Sequence, residues 1–369
     1  MSFAIIRAWD LDLAQKRMQV HYWSTDSVGG FMGTRYLATA CTVVAMVILV
    51  PWLAIAQSPT TPRTAWGDPD LGGVWNNSTL TPFQRPERLG DQEFLTEEEA
   101  ANIEQAAADR DTDLAGRPAL RTEVGGNVDR GVDGAPGSYN NFWMERGTSV
   151  VPTRRTSVIT DPPNGRLPSL TAEAQARMTS PEAERLAAVR GGRLPTDSYA
   201  QLDGGDRCLW YRGIPSFPTA YNNNYQIVQT PEFVAILQEH IHDVRFIMLD
   251  GRPHLTPAIR QFAGDSRGHW EGDTLVVETT NFNHHAFIRN FNGNLSEELH
   301  VVERFTRAGE GTLDYEFTVT DPKTWTRKWG GALPMTRSVG PMFEYACHEG
   351  NYGLTNMLAG SRAQEAGEQ

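Results

Sequence analysis

Leu313-Asp314-Tyr315-Glu316-Phe317-Thr318-Val319-Thr320 decides the fold class. Successive side chains of a strand point to opposite faces, so Leu313, Tyr315, Phe317 and Val319 share one side and Asp314, Glu316 and Thr318 the other. One side is apolar enough to bury and the other polar enough to meet water, as in an antiparallel sheet covered on one face. Val301 to Thr306 and this strand flank a turn at Ala308 to Gly311, which predicts a hairpin.

Further upstream, Trp270 and Leu275 to Phe282 flank a tight turn at Glu271 to Thr274. Tyr225 to Gln229, Phe233 to Ile241 and Val244 to Leu249 are rich in β-branched and aromatic residues. Downstream, Thr324 to Trp329 and Met342 to Cys347 read as two more strands, and Thr355 to Ala366 as a terminal helix. A set of about eight to ten antiparallel strands must close or stack to remove its edges. The expectation is a closed, lipocalin-like barrel over residues 213 to 369, with a β-sandwich as the alternative.

Residues 57 to 212 read differently, as a loop-rich and partly helical extension packed on that barrel. Gly73-Val74-Trp75 is strand-like. Thr96 with Glu99 three residues on is a capping box opening an Ala-rich helix. Gly116 to Gly137 is a loop. Thr156 to Asp161 and Arg166 to Leu170, joined by Pro-Pro-Asn-Gly at 162 to 165, predict a hairpin. Thr171 and Ser180 are N-caps of two short helices, the second with Pro181 at its first position.

The start of the chain predicts export. Arg35 supplies a positive charge, Val43 to Val50 an apolar run, and Ala54-Ile55-Ala56 a small-residue cleavage site, so residues 32 to 56 read as a signal peptide. Residues 1 to 31 then look like an over-long start. An uncleaved anchor is the alternative, since Tyr36 to Ala56 has the length of a membrane-spanning helix, but Pro51 and the cleavage site argue against it. Cys41 precedes the apolar run and so does not suit lipid attachment.

Cleavage after Ala56 leaves 29 basic and 42 acidic residues, a formal charge of −13. Such a surface repels phosphate backbones and anionic lipid, which argues against nucleic-acid and stable membrane partners. Two cysteines remain, Cys208 and Cys347, and an oxidising compartment favours their disulfide. Two separate buried thiols are the alternative. A catalytic cysteine ranks third, because nothing flanking either residue stabilises a thiolate.

Several strings carry a resemblance: Asp68-Pro69-Asp70-Leu71 with Gly73-Val74-Trp75, Tyr221 to Val228, Gly264-Asp265-Ser266-Arg267-Gly268, Trp270 to Phe282, and Tyr345 to Tyr352. Together they resemble a family of uncharacterised secreted proteins common in soil bacteria. That family has no established activity, so the resemblance implies secretion and supplies no catalytic residues. His284-His285 departs from its strings. Gly73-Val74-Trp75 also resembles the lipocalin G-x-W tripeptide, a pattern that Gly268-His269-Trp270 matches as well.

Candidate chemistry gathers around histidine. His242-Asp243 and His348-Glu349 each set an imidazole beside a carboxylate. Adjacent residues of one strand face opposite ways, so an acid-base group needs both pairs at one barrel mouth, where His242, Asp243, His348 and Glu349 become the catalytic candidates. His240 and His242 share a face if their strand reaches that far, and with His254 they form the alternative metal set. Tyr221, Asn223 and Tyr225 offer amides and hydroxyls to a ligand, with Asp265 and Arg267 as further binders. Asn141 to Arg146 is a candidate lid, and Trp325, Arg327 and Trp329 a cation-π ladder. With no G-x-S-x-G, P-loop or dinucleotide glycine string, the expectation is a small-molecule ligand or substrate and no organic cofactor. Oligomeric state is not legible.

Overall fold

The computed structural model describes residues 61–116, 144–210, 213–283, 288, 291 and 295–367. Residues 1–60 with Cys41 and the expected signal peptide, residues 117–143 with most of the expected loop and the start of the expected lid, and His284-His285 lie outside these residues. The described chain is mainly β. In order it forms β1 (Gly73–Asn76), α1 (Glu97–Gly116), β2 (Ile159–Asp161), α2 (Ala172–Met178), α3 (Pro181–Arg190), β3 (Asn224–Gln229), β4 (Phe233–Gln238), β5 (Val244–Met248), β6 (Asp265–Glu271), β7 (Thr274–Thr280), β8 (His300–Arg307), β9 (Thr312–Thr320), β10 (Trp329–Ala332), β11 (Met335–Arg337) and α4 (Tyr352–Glu365).

Nine of the strands close into a barrel in the order β11-β1-β3-β4-β5-β6-β7-β8-β9 and back to β11, where Met335 faces Leu313 and Thr336 faces Thr312. Each neighbouring pair is antiparallel except β5 with β6, which run parallel with Ile247 opposite Ser266. A parallel pair needs a crossover, and Leu249 to Gly264 provides it. β10 and β11 are one interrupted strand along β9. The ladder runs from Trp329 opposite Val319 through the Leu333 N–H bond to the Tyr315 carbonyl (2.8 Å) to Met335 opposite Leu313. Pro334, which has no N–H, marks the interruption.

Alternation on β9 holds residue by residue. Leu313, Tyr315, Phe317 and Val319 are all buried, while Asp314, Glu316 and Thr318 lie outside the core. Trp75, Tyr225, Ile227, Val234, Ile236, Ile247, Leu275, Val277, Val301 and Phe305 face them across the interior. The same alternation carries charge inward, since Glu303 lies between Val301 and Phe305 on β8, and Arg245 two residues before Ile247 on β5. Both are buried and form a bidentate pair, with Glu303 also accepting from the Tyr315 hydroxyl at 2.9 Å. Burial works against the charge of Arg245, but Glu303 outweighs it and raises its pKa. Burial, and then Glu303, push the Tyr315 phenol well above its ordinary value.

Several expectations change. Residues before 213 are not only an extension, because β1 is a stave of the barrel between β11 and β3. The turn at 162 to 165 forms, but β2 does not pair with Arg166 to Leu170. It pairs with β10, where Gly330 and Gly331 let the backbones close in. A Cβ on Gly331 would lie 2.6 Å from the Val158 carbonyl and 2.4 Å from the Phe317 ring. Thr324 to Trp329 is a turn followed by the first residue of β10. Trp325 and Trp329 are buried edge to face at 5.4 Å while Arg327 reaches out to Asp161, so no cation-π ladder forms. Met342 to Cys347 is not a strand but an irregular strap. The Thr96–Glu99 box forms reciprocally, at 2.8 and 3.1 Å, and Thr171 and Ser180 cap α2 and α3.

Candidate functional site

β4 ends at Gln238, so Glu239 to Asp243 form the turn into β5 instead of continuing the strand. One bond closes this turn, from Gln238 N–H to the Asp243 carbonyl (3.1 Å), and another, from Glu239 N–H to the Asn224 carbonyl (3.0 Å), ties its first residue to β3. Ile241 takes a left-handed φ of +64° with its side chain buried, a conformation that β-branched residues rarely adopt. Burying Ile241 turns its two histidine neighbours in different directions, which removes the shared strand face expected for His240 and His242.

His240 is buried between two phenol rings. Tyr221 stacks on one side with centroids 5.4 Å apart, and Tyr345 lies on the other at 4.8 Å. His242 stays exposed, with its ring 5.1 Å from that of His348. Asp243, between His242 and β5, is half-buried. Its Oδ2 atom accepts no hydrogen bond from any described residue, and burial pushes the carboxyl up to about 7.

The strap carrying Tyr345 and His348 is held here by Cys347, whose disulfide to Cys208 spans a Cα–Cα distance of 5.7 Å. Asn351 fastens the strap's end. Its Nδ2 donates to the Asp206 carbonyl (3.0 Å) and to Cys208 Sγ (3.3 Å), and its Oδ1 caps α4. Glu349 is exposed and makes no hydrogen bond among the described residues.

The structure thus brings His242 and His348 into ring contact and sets Tyr221 and Tyr345 on His240; Asp243 follows His242 in the chain but makes no hydrogen bond or ion pair to either imidazole among the described residues. The other binding candidates have internal work. Asn223 is fully buried, donating to the Glu145 and Thr219 carbonyls and accepting from Thr219 N–H. Tyr225 faces the core, its hydroxyl accepting from Asn77 at 3.3 Å. Asp265 is buried at the start of β6, pairs with Arg267 at 2.7 Å, and accepts from Leu255 N–H and His254 Nδ1. That knot pins the β5–β6 crossover and occupies His254, the third member of the metal alternative. Among the described residues no group of three or more His, Cys, Asp or Glu side chains is placed to hold a metal ion.

A cleft of about 230 Å³ has none of His242, Asp243 and His348 in its lining, and ends one residue before Tyr221. Thr79, Thr81, Phe83, Arg146, Phe217 and Thr219 line it, with Phe83 and Phe217 edge to face at 4.8 Å. Its wall continues through Ala220 to Tyr221, the residue stacked on His240. Arg146 belongs to the segment expected to be a lid. The rest of the cleft carried no signal in the sequence, because its hydroxyls and rings come from segments far apart in the chain. No helix among the described residues is long and apolar enough to cross a membrane. Comparison with family models, with curated proteins and with solved structures gave no match.

Proposed function

We propose that this chain is an exported enzyme that moves protons on a small neutral molecule without an organic cofactor. Suitable substrates are a glycoside, a terpenoid or an aromatic compound, undergoing hydrolysis, elimination or isomerisation. The observation that carries the reading is the meeting of His242 and His348 beside Asp243, whose carboxyl sits at about 7. A carboxyl balanced near neutral pH both takes and gives protons at useful rates, and imidazole is the other side chain suited to that range. Convergence of titratable groups from distant segments is what acid-base chemistry requires.

In this reading Asp243 is the base, and the exposed His242 and His348 pass the proton to solvent. Lipocalin-like use of the barrel lumen is disfavoured, since side chains fill it, and the substrate instead meets the exposed His242–His348 pair from outside the barrel. The signal peptide and the Cys208–Cys347 disulfide together support a periplasmic or extracellular setting.

The test is turnover of a panel of neutral aryl glycosides, terpene alcohols and phenolic esters by the purified secreted protein. We expect activity that rises through pH 7 and falls by roughly 10²-fold or more in Asp243→Asn and His348→Ala. Equal turnover by those variants, or none by the wild type, sinks the proposal. One observation favours a second reading, a non-catalytic binding protein: among the described residues no carboxylate or imidazole lines the cleft. That reading expects binding in calorimetry that Phe217→Ala weakens and His348→Ala leaves unchanged.

A further inference from the structure

We infer that the barrel encloses one structural water, held between Gln238 of β4 and Arg245 of β5. Leu237 lies opposite Val244 and Ile236 opposite Arg245, so Gln238 and Arg245 are diagonal neighbours on the interior face. Both are buried, at 3% and 7% exposure. The two terminal nitrogens of Arg245 both bond Glu303, and its Nε–H has no acceptor. The Gln238 Oε1 atom has no donor.

These two residues line one cavity together with Ser216, Tyr225, Glu303 and Tyr315. Its free volume is about 10 Å³ for the centre of a water-sized sphere, which is room for a single water. A buried donor and a buried acceptor at the wall of a hole of that size match a molecule that accepts from one and donates to the other. Nothing larger fits. An anion is disfavoured because the Glu303 carboxylate stands on the same wall and already neutralises Arg245, and a cation because the guanidinium is there. The occupant is therefore neutral and both donates and accepts. Tyr225, whose hydroxyl takes the Asn77 amide from outside, offers it further hydrogen-bonding capacity.

This inference stands apart from the proposed chemistry, and its test does not need a substrate. A crystal structure of the secreted protein, at a resolution where single waters are ordered, is expected to show one peak within hydrogen-bond distance of both Arg245 Nε and Gln238 Oε1. A dry cavity overturns the inference, as does a Gln238 side chain turned to accept the Arg245 Nε–H directly. In solution, oxygen-17 relaxation dispersion counts long-lived internal waters. Gln238→Met is expected to lose one relative to the wild type, and an unchanged count in the folded variant overturns the assignment. Should that variant fail to fold, the wild-type crystal still decides.

Discussion

Two stretches late in the chain, β9 and the strap from Ser338 to Asn351, both carry a segment that reads as a strand and have opposite fates. β9 has a ladder on both sides, with β8 along its length and the interrupted β10–β11 strand opposite, and its inward side chains are buried. Between Val339 and Gly350 no backbone bond to the barrel occurs among the described residues, Val339 is fully exposed, and Phe343 is 75% exposed. Ring contacts, one disulfide and Asn351 hold the strap. The barrel wall is redundant, whereas half of the candidate site depends on a handful of attachments.

The largest effects are expected inside the wall. Glu303→Gln leaves Arg245 with a broken partner in the interior and should lose about 3 to 5 kcal/mol in urea unfolding. Phe317→Ala should lose a similar amount, about 3 to 5 kcal/mol, through lost burial and the cavity left behind. If either is neutral, the wall is not the rigid half of the comparison.

Removing the disulfide by Cys208→Ser with Cys347→Ser comes next, at about 2 to 4 kcal/mol. Its local consequence is more telling than its size. We expect new proteolytic cuts between Val339 and Gly350 and loss of the His242–His348 contact in NMR, with the far-ultraviolet dichroism of the barrel retained. A collapse of that spectrum would mean that the strap supports the wall.

A smaller effect concerns pH. The Asp243 carboxyl lies near 7 when folded and near 3.8 when not, so the folded chain binds more protons between those values. Stability from this group is therefore fully present near pH 4 and lost as pH rises toward 7. Asp243→Asn should flatten that slope in thermal melts from pH 4 to 8, and an unchanged slope would show that Asp243 is not buried enough to matter. The smallest effect is Phe343→Ser, within about 0.5 kcal/mol despite the loss of an aromatic ring. A larger loss would show the strap packed on something.

The sequence made the β9 wall readable because alternation is local and long, and the capping box and the cysteine pair were readable from local chemistry and compartment. β11 was not, since Met335 to Arg337 is too short to show a period. The first half of β6 was missed because Gly264-Asp265-Ser266-Arg267-Gly268 carries turn residues, and only the hydrogen bonds of Asp265 reveal why they suit a strand start. The pairing of β2 depends on Gly330 and Gly331, far along the chain, while its adjacent turn argued for a local hairpin. Met342 to Cys347 is apolar and aromatic enough to read as a strand but finds no partner strand, and local composition cannot report that. For the site, the residue types at His242 and His348 suggested chemistry. The left-handed Ile241 that parts His240 from His242, the disulfide that holds His348, and the work already given to Asn223 and Asp265 appear only in three dimensions.

The seam that closes the barrel joins β1 to β11, so residues 73 to 76 meet their partner only at residues 335 to 337. A chain that emerges amino-terminus first from the ribosome therefore carries an open sheet edge until nearly all of it has been made. Such an edge invites pairing with the wrong neighbour. The yield of this protein should depend on how quickly β11 follows β1, and deletion of either strand should produce aggregates instead of a smaller barrel.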